Sequence, residues 1–529
     1  MREDAPGHAL PPRATALVLA LVAALLLFRL GAVPLLGPDE PRYARVAVEM
    51  ARAGDWVTPT LQGRPWLEKP VLYYWLAGAA FRALGETEAA ARLPSVLAAL
   101  LMAFATGLFG ARVFGGRAGL WAALITGTSV LAFAYGRAAS MDMLVAATVT
   151  AATALLGLRL LGIAGRLAVP AAGALCGLAV LAKGPIGLLL PALSVGAFVL
   201  LARDGGAARR LLSPAALLLF LAVAAPWYLL VYRAQGQAFV DVFLLDHNLR
   251  RFTSTIHRHP GPPWYYLPVL LGGLFPWTGL VVPGAAALRP RADRRDLFLL
   301  CWLALPLLFF SAAGSKLPGY ILPCLPPLAL LAGRAAERMA RAGRATPEDA
   351  LARRVVGLVT LALSAAVAAA PLVLSRQGDP LWRLAVPLAA WSLLLGWSVS
   401  RRVGGDADGA LRLLRVGAAG TLLLIAAAAP ALLEKRESGR ALFAPARGRE
   451  VMAWGAWRTA WMAGYFYNDG RVREVKGLAE IAGAAAGGPT LVVCGPAERR
   501  ILQRTPSLAV TLLATGPRGN ALVEVRPRG

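Results

Sequence analysis

Pro38-Asp39-Glu40-Pro41-Arg42-Tyr43-Ala44, followed in the same loop by Leu67-Glu68-Lys69-Pro70, sets two carboxylates, a guanidinium and an ammonium just after the apolar run Ala14–Phe28. Charge is scarce elsewhere. The 529 residues are 57% hydrophobic and 16% charged, against roughly 25% charged in an average soluble domain. The deficit comes from repeated apolar stretches, each able to cross a hydrocarbon core about 30 Å thick. The chain therefore reads as an all-α polytopic membrane protein, and charge concentrated in its first loop needs a reason.

Apolar spans are expected at 14–36, 91–113, 118–136, 141–162, 167–182, 184–202, 211–232, 264–286, 296–312, 317–333, 354–374, 382–400 and 410–432, about thirteen in all. Backbone groups in hydrocarbon must bond within their own segment, so these spans are helices. Arginine placement orients them. Arg112/Arg117, Arg159/Arg166, Arg203/Arg209/Arg210, Arg289/Arg291/Arg294/Arg295, Arg334 to Arg354, and Arg401/Arg402 all fall in alternate loops. The positive-inside rule makes those loops cytoplasmic, together with the N-terminus. Residues 1–432 then form a membrane domain whose first loop (37–90) and later loop (233–263) face the periplasm. Residues 433–529 form a small periplasmic α/β domain, with strands at Thr490–Cys494 and Ala521–Val525 and a helix at Pro496–Gln503. No chemistry is evident in this tail. Arg2 and Arg13 before the first apolar run resemble a signal peptide, but no small-residue cleavage site follows, so the run is read as an uncleaved helix.

A net charge of +26 raises the question of nucleic acid. The arginines lie in short clusters between spans, with no basic, aromatic-interleaved soluble domain, so no nucleic-acid partner is expected. Cys176, Cys301, Cys324 and Cys494 are scattered and suggest neither a metal spacing nor a disulfide framework.

The outward loops carry the chemistry. Tyr43, Val46, Ala47 and Met50 recur at helical spacing with Arg45, Glu49 and Arg52 opposite, and Gly54-Asp55 ends that helix. Val71–Leu84, with Tyr73, Tyr74 and Trp75, suits the headgroup layer. Asp39 and Glu40 fit ordinary helix capping, but two acids beside Arg42 at a membrane surface point towards catalysis. Lys69 alone reads as a snorkelling lysine. Asp142, in Ser140-Met141-Asp142-Met143 at a helix mouth, is costly unless it is functional or paired, with Arg137 as its nearest candidate partner.

Three of the four histidines lie near Asp246-His247-Asn248-Leu249-Arg250-Arg251-Phe252 and His257-Arg258-His259. Imidazoles with Asp246 can ligate a divalent ion and the arginines can grip phosphate. The spacing matches no closed zinc site, and phosphate handling is the reading preferred. Ala182-Lys183-Gly184-Pro185 and Ser315-Lys316-Leu317-Pro318-Gly319-Tyr320 each read as a turn with a snorkelling lysine. Together they put Lys69, Lys183 and Lys316 on one membrane face, against the usual charge bias.

At these residues the chain resembles the C-type integral-membrane glycosyltransferases, in particular the lipid A aminoarabinose transferases, which are distantly similar to protein O-mannosyltransferases. The resemblance runs in order through Asp39–Ala44, Gly54-Asp55-Trp56-Val57, Glu68-Lys69-Pro70, Ala91-Arg92-Leu93-Pro94-Ser95, Ser140-Met141-Asp142 and Ala182-Lys183-Gly184-Pro185. It ends with Asp246-His247, Arg250-Arg251-Phe252 and Lys316–Pro323, covering roughly residues 15–335. It implies a polyprenyl (undecaprenyl) phosphate sugar as donor and lipid A, or another envelope lipid, glycan or protein, as acceptor. The enzyme is expected to be an inner-membrane monomer. By the resemblance, Asp39 and Asp142 border the reaction centre. Glu40, Arg42, Lys69, Arg250, Arg251, Lys316 and Tyr320 bind substrate, and Glu68 with His247 match positions that hold a metal in the family. No further cofactor is implied.

Physical chemistry agrees. A departing polyprenyl phosphate gains negative charge, so fixed cations favour the transition state over the ground state. A hydroxyl acceptor would need Asp39 as general base, whereas a phosphate acceptor is already ionised and leaves Asp39 and Asp142 to position the sugar. A transporter would instead show broken helices and repeated halves around the bilayer midplane. A flippase of the linked glycan, or a polymerase joining whole glycans, shares the outward cations, and the charged first loop favours single-sugar transfer. All of this requires the charged residues to converge on one pocket.

Overall fold

The structure is a computed structural model that describes residues 9–243, 261–341, 347–376, 382–446 and 448–528. The expected spans fall on helices or bent helix pairs, except that the first, 14–36, is helical only as far as Leu27. Among the described residues, seven helices are long and apolar enough to cross a membrane, or up to nine if each of two bent pairs is one span. Gly116–Thr128 with Val130–Gly136 bends by 58°, and Tyr266–Gly273 with Thr278–Ala286 bends by 111°. Pro12–Leu27, Ala168–Lys183 and Ile186–Ala202 are apolar but shorter. Length and composition alone thus support fewer crossings than the number expected from sequence, because bends and short helices divide the apolar runs.

Two compact units are present. The first comprises residues 1–28, 67–73 and 94–425, and the second 29–66, 74–93 and 426–529. The first loop therefore groups largely with the tail.

In the first unit, burial separates interior helices from lipid-facing ones. The apolar window of Asp142–Leu160 is 83% buried, whereas that of Pro214–Gln235 is 17% buried. The buried helix is built largely of Ala, Leu and Thr, and Thr148 Oγ1 returns its hydrogen bond to the Leu144 carbonyl at 2.8 Å. Small residues let neighbouring helices approach closely without a hydrophobic driving force. Ala168–Lys183 packs on both Asp142–Leu160 and Pro214–Gln235. Its Gly173 and Gly177 lie one helical turn apart, and a Cβ on Gly173 would lie 2.3 Å from the Ala216 carbonyl oxygen.

The helices of this unit have two chemically different ends. At one, Arg137 Nη1 donates to the carbonyls of Leu26 (2.6 Å) and Phe28 (2.7 Å) at the close of the first helix. Ser95 donates to the Ser140 carbonyl at 3.2 Å beside the start of Asp142–Leu160. At the other end stand Arg112, Arg210 and Arg294, and Arg334 pairs with the buried Asp296 at 2.5 Å. This alternation matches the arginine pattern read from sequence.

In the second unit, Asp39–Ala53 is a helix whose apolar face buries Tyr43, Val46, Ala47 and Met50, and Gly54 closes it with φ +73°. A short hairpin, β1 (Thr60–Leu61) with β2 (Arg64–Pro65), follows. The tail folds as a five-stranded mixed sheet of β3 (Val451–Trp454), β4 (Val472–Glu474), β5 (Thr490–Cys494), β6 (Leu508–Thr515) and β7 (Ala521–Pro527), in the order β4-β3-β5-β7-β6. β3 runs parallel to β4 and β5, and β7 antiparallel to β5 and β6. Val492, Cys494, Val523 and Val525 form its core with Ile481 and Leu502 from two covering helices. Burial pushes the Cys494 thiol up to about 12, so it packs as an apolar residue.

Charged contacts join first loop and tail within this unit. Asp469, in the left-handed region at φ +54°, accepts from Arg45 (2.5 Å) and Arg52 (2.7 Å). Gln62 Nε2 donates to the Gly470 and Val472 carbonyls. Desolvation opposes ionisation of Asp469, but the bonds from Arg45 and Arg52 outweigh it and hold its carboxyl below the ordinary range.

Two predictions follow from this packing. Gly173→Val should lower the melting temperature of the detergent-purified protein, whereas Gly196→Val, whose added Cβ meets nothing within 4 Å, should leave it nearly unchanged. A depressed carboxyl stabilises the fold above its unfolded value near pH 4 and loses that contribution as pH falls through the folded value. Asp469→Asn should therefore make tail protection from proteolysis weaker at pH 7 and less dependent on acidification than in wild type.

Candidate active site

Asp39 and Glu40 occupy the first turn of Asp39–Ala53, where carboxylates complement the helix dipole. The helix begins at Asp39 itself, so neither acid sits at the capping position before it. Their fates differ. The Glu40 side chain is 10% exposed and its Oε2 accepts from Arg92 at 2.7 Å and from the Leu36 amide at 2.7 Å. Arg92, 2% exposed, also donates to the carbonyls of Leu30, Val33 and Pro34. Glu40, expected at the substrate, fixes the chain that leads into the helix.

Asp39 is 55% exposed and pairs with Arg42 one turn later. The Arg42 guanidinium lies over the rings of Trp66 (4.9 Å) and Tyr43 (5.6 Å), which fixes its plane. Tyr465 of the tail feels the Arg42 charge; burial raises its hydroxyl above the ordinary range, and the guanidinium opposes that rise.

In the first unit, Asp142 opens its helix and pairs with Lys183, the last residue of Ala168–Lys183. Ser140 Oγ lies 3.5 Å from the Asp142 carboxylate. The Lys183 ammonium sits 4.7 Å from the Tyr320 ring centroid. The turn carrying Tyr320 is pinned where Gly319 meets Tyr135, since a Cβ there would fall 2.6 Å from the tyrosine ring. Lys316, 6% exposed, donates to the Ala313 carbonyl at 2.6 Å and so serves the same turn. Glu68 and Lys69 are half-buried, and Lys69 Nζ donates to the Glu68 carbonyl at 3.2 Å.

The structure thus brings together Asp39 with Arg42, and Asp142 with Tyr320. Arg250, Arg251 and His247 lie outside the described residues, as does Asp246. Among the described residues no group of three His, Cys, Asp or Glu side chains gathers to hold a metal.

Sequence reasoning missed the roles of Lys183, Arg92 and Trp66. It offered Arg137 to Asp142, but Arg137 is committed to helix-end carbonyls. A usable signal existed: of 55 basic residues only five are lysines, and Lys69, Lys183 and Lys316 are three of those five.

Comparison with known proteins places this arrangement. Residues 68–230 match the family described as dolichyl-phosphate-mannose-protein mannosyltransferase. A protein of Sodalis glossinidius named undecaprenyl phosphate-α-4-amino-4-deoxy-L-arabinose arabinosyl transferase 1 is 36% identical over 395 residues, 70% of this chain and 68% of that protein. The chain belongs to this arabinosyl transferase family. The Pectobacterium carotovorum transferase of the same name is 38% identical over 322 residues, 59% of this chain, and the chain spans 57% of that relative's length. The crystal structure of ArnT from Cupriavidus metallidurans bound to undecaprenyl phosphate superposes with a TM-score of 0.77 at 24% identity, covering 96% of this chain and 97% of that one. The chain therefore shares the arabinosyl transferase fold and is a multi-pass membrane protein.

Removing one partner from a buried ion pair leaves an uncompensated charge. Arg92→Ala and Glu40→Gln should each destabilise the protein by about 3–5 kcal/mol, read as a lowered melting temperature. Arg92→Lys should not restore it, because a single ammonium cannot span a carboxylate and three carbonyls.

Proposed function

We propose that this chain is an inverting, polyprenyl-phosphate-dependent glycosyltransferase of the bacterial inner membrane. It moves 4-amino-4-deoxy-L-arabinose from undecaprenyl phosphate to lipid A on the periplasmic side. The N-terminus and the arginine-rich helix ends are cytoplasmic, and the tail is periplasmic. The observation that carries the reading is the Asp142–Lys183 pair seated against Tyr320 at the mouths of two apolar helices. An ammonium at that place suits the phosphate of a lipid whose tail occupies hydrocarbon.

In the reaction, an acceptor phosphate oxygen attacks the anomeric carbon as its bond to the carrier phosphate breaks. The electron pair leaves with the undecaprenyl phosphate, which gains one negative charge. Lys183, Lys69 and Arg42 favour that developing charge, and Arg250 and Arg251 are assigned to the same task. A lipid A phosphate is already ionised and needs no general base, so Asp39 and Asp142 orient the sugar through its amine and hydroxyls. Lys316 and Glu40 act through position, one holding the Tyr320 turn and the other the chain entering Asp39–Ala53. The mannosyltransferase-family match over residues 68–230 supports a second reading. There the acceptor is a protein hydroxyl, and Asp39 takes its proton.

Purified protein in detergent, given undecaprenyl phosphate-linked aminoarabinose and lipid A, should form modified lipid A that mass spectrometry detects. Asp39→Asn and Lys183→Ala should each lower the transfer rate by about 10²–10³-fold, in line with losing one preorganised electrostatic group. Wild-type turnover in Lys183→Ala would overturn its assignment. Product on a polypeptide, with lipid A untouched, would establish the second reading.

A further inference from the structure

Helix Asp142–Leu160 carries Asp142 at one end and Leu160 at the other, and its 19 residues span about 28 Å, close to the thickness of a bilayer core. At the Leu160 end the first unit contains a cavity of about 600 Å³. Four guanidiniums line it from three separate segments. They are Arg112 at the close of Glu88–Phe114, Arg210 in Gly205–Leu211, and Arg294 with Arg295 opening Arg294–Ala312. Leu160 and Leu161 contribute an apolar wall.

The positive-inside rule accounts for arginine at this end, and helix C-termini welcome Arg112 and Arg210. Neither requires four exposed guanidiniums from three segments to line one open cavity. Two are partly neutralised: Asp204 pairs with Arg294 at 2.8 Å and Asp293 with Arg295 at 2.8 Å. Arg112 and Arg210 make no ion pair within 4 Å among the described residues. The cavity therefore keeps an excess of positive charge beside the accessible apolar side chains of Leu161 and Ile163. Its volume falls in the range typical of small-ligand sites, about 300–1,000 Å³.

We infer that this cavity binds the phosphate headgroup of an anionic phospholipid in the leaflet opposite the Asp142 end, with Leu161 and Ile163 against the start of an acyl chain. Guanidiniums grip phosphate oxygens through paired N–H bonds, and basic pockets between transmembrane helices recognise such headgroups. This site is a helix length away from the pair assigned to catalysis and takes a different ligand. It stands or falls independently of the transferase reading.

The test uses the full-length protein in an uncharged detergent and follows its melting temperature during titration with phosphatidylglycerol, phosphatidylcholine or inorganic phosphate. Phosphatidylglycerol should raise the melting temperature in a saturable way, and the other two should not. Arg112→Gln/Arg210→Gln should weaken the phosphatidylglycerol response by about thirtyfold, or about fivefold per guanidinium lost. Arg166→Gln/Arg209→Gln removes equal charge from positions that do not line the cavity and should leave the response unchanged. If the first double variant fails to fold, each single substitution should show its fivefold share. An equal loss in both double variants would reduce the effect to diffuse charge and overturn the inference. A full response to inorganic phosphate alone would make the site one for a soluble anion, and no response to phosphatidylglycerol would remove it.

Discussion

The Asp142–Lys183 pair joins the first residue of one apolar helix to the last residue of another, and much of the first unit is arranged around it. A single charge at a helix mouth flanked by hydrocarbon is expensive; two opposite charges in contact reduce that cost, and each then constrains the other's backbone. The helices they end are antiparallel and packed together. The pair consequently fixes their register along the membrane normal, while Gly173 and Gly177 fix their separation from the next helix. Tyr320 completes the group by offering its ring to the ammonium. Its turn depends in turn on Gly319 meeting Tyr135 and on Lys316 holding the Ala313 carbonyl.

Arginines line one end of the first unit, while Lys183 and Lys316 join Arg137 at the other, and the use of lysine there has a chemical basis. Arginine stays charged in any surroundings and forms planar paired bonds, which suits helix ends that must remain at one membrane surface. Lysine is a compact, rotatable point charge that can move from a carboxylate to a phosphate without losing a fork geometry. Three of the five lysines stand in the motifs that faced outward in the sequence reading. In the second unit, Arg42 is an arginine clamped by Trp66 and Tyr43, so its plane is set before any ligand arrives.

Much of this was legible in the residues alone. The apolar runs became helices at the expected places because hydrocarbon leaves the backbone no alternative. The helix from Asp39 to Gly54 followed its apolar spacing and its left-handed glycine. The number of crossings was less legible, since the bends near Ser129 and Leu274–Trp277 depend on tertiary packing. In the tail, β5 and β7 were recognisable as apolar strands, whereas β3 and β4 are four and three residues long and carry too little pattern. Leu508–Thr515 reads equally well as a helix segment. Site residues were recognisable by type, but their partners were not. Asp142 looked towards Arg137, five residues away, because sequence shows near neighbours, while Lys183 reaches it through folding, 41 residues on.

Asp39 and Glu40 show how one helical turn can assign opposite duties to adjacent acids. The longer Glu40 reaches inward to Arg92, a guanidinium already committed to three carbonyls, and this network holds the segment from Leu30 to Leu36 against the helix start. Asp39 is too short for that reach and turns along the helix to Arg42, remaining 55% exposed. Its partner is therefore a cation with a strong affinity for phosphate. On the proposed reading, a donor phosphate competes with Asp39 for the Arg42 guanidinium. Each bond that Arg42 forms to phosphate loosens its hold on the carboxylate and leaves that carboxylate beside the sugar. Binding of the lipid and readiness of the acid are then one event, coupled through a guanidinium that Trp66 keeps from swinging away.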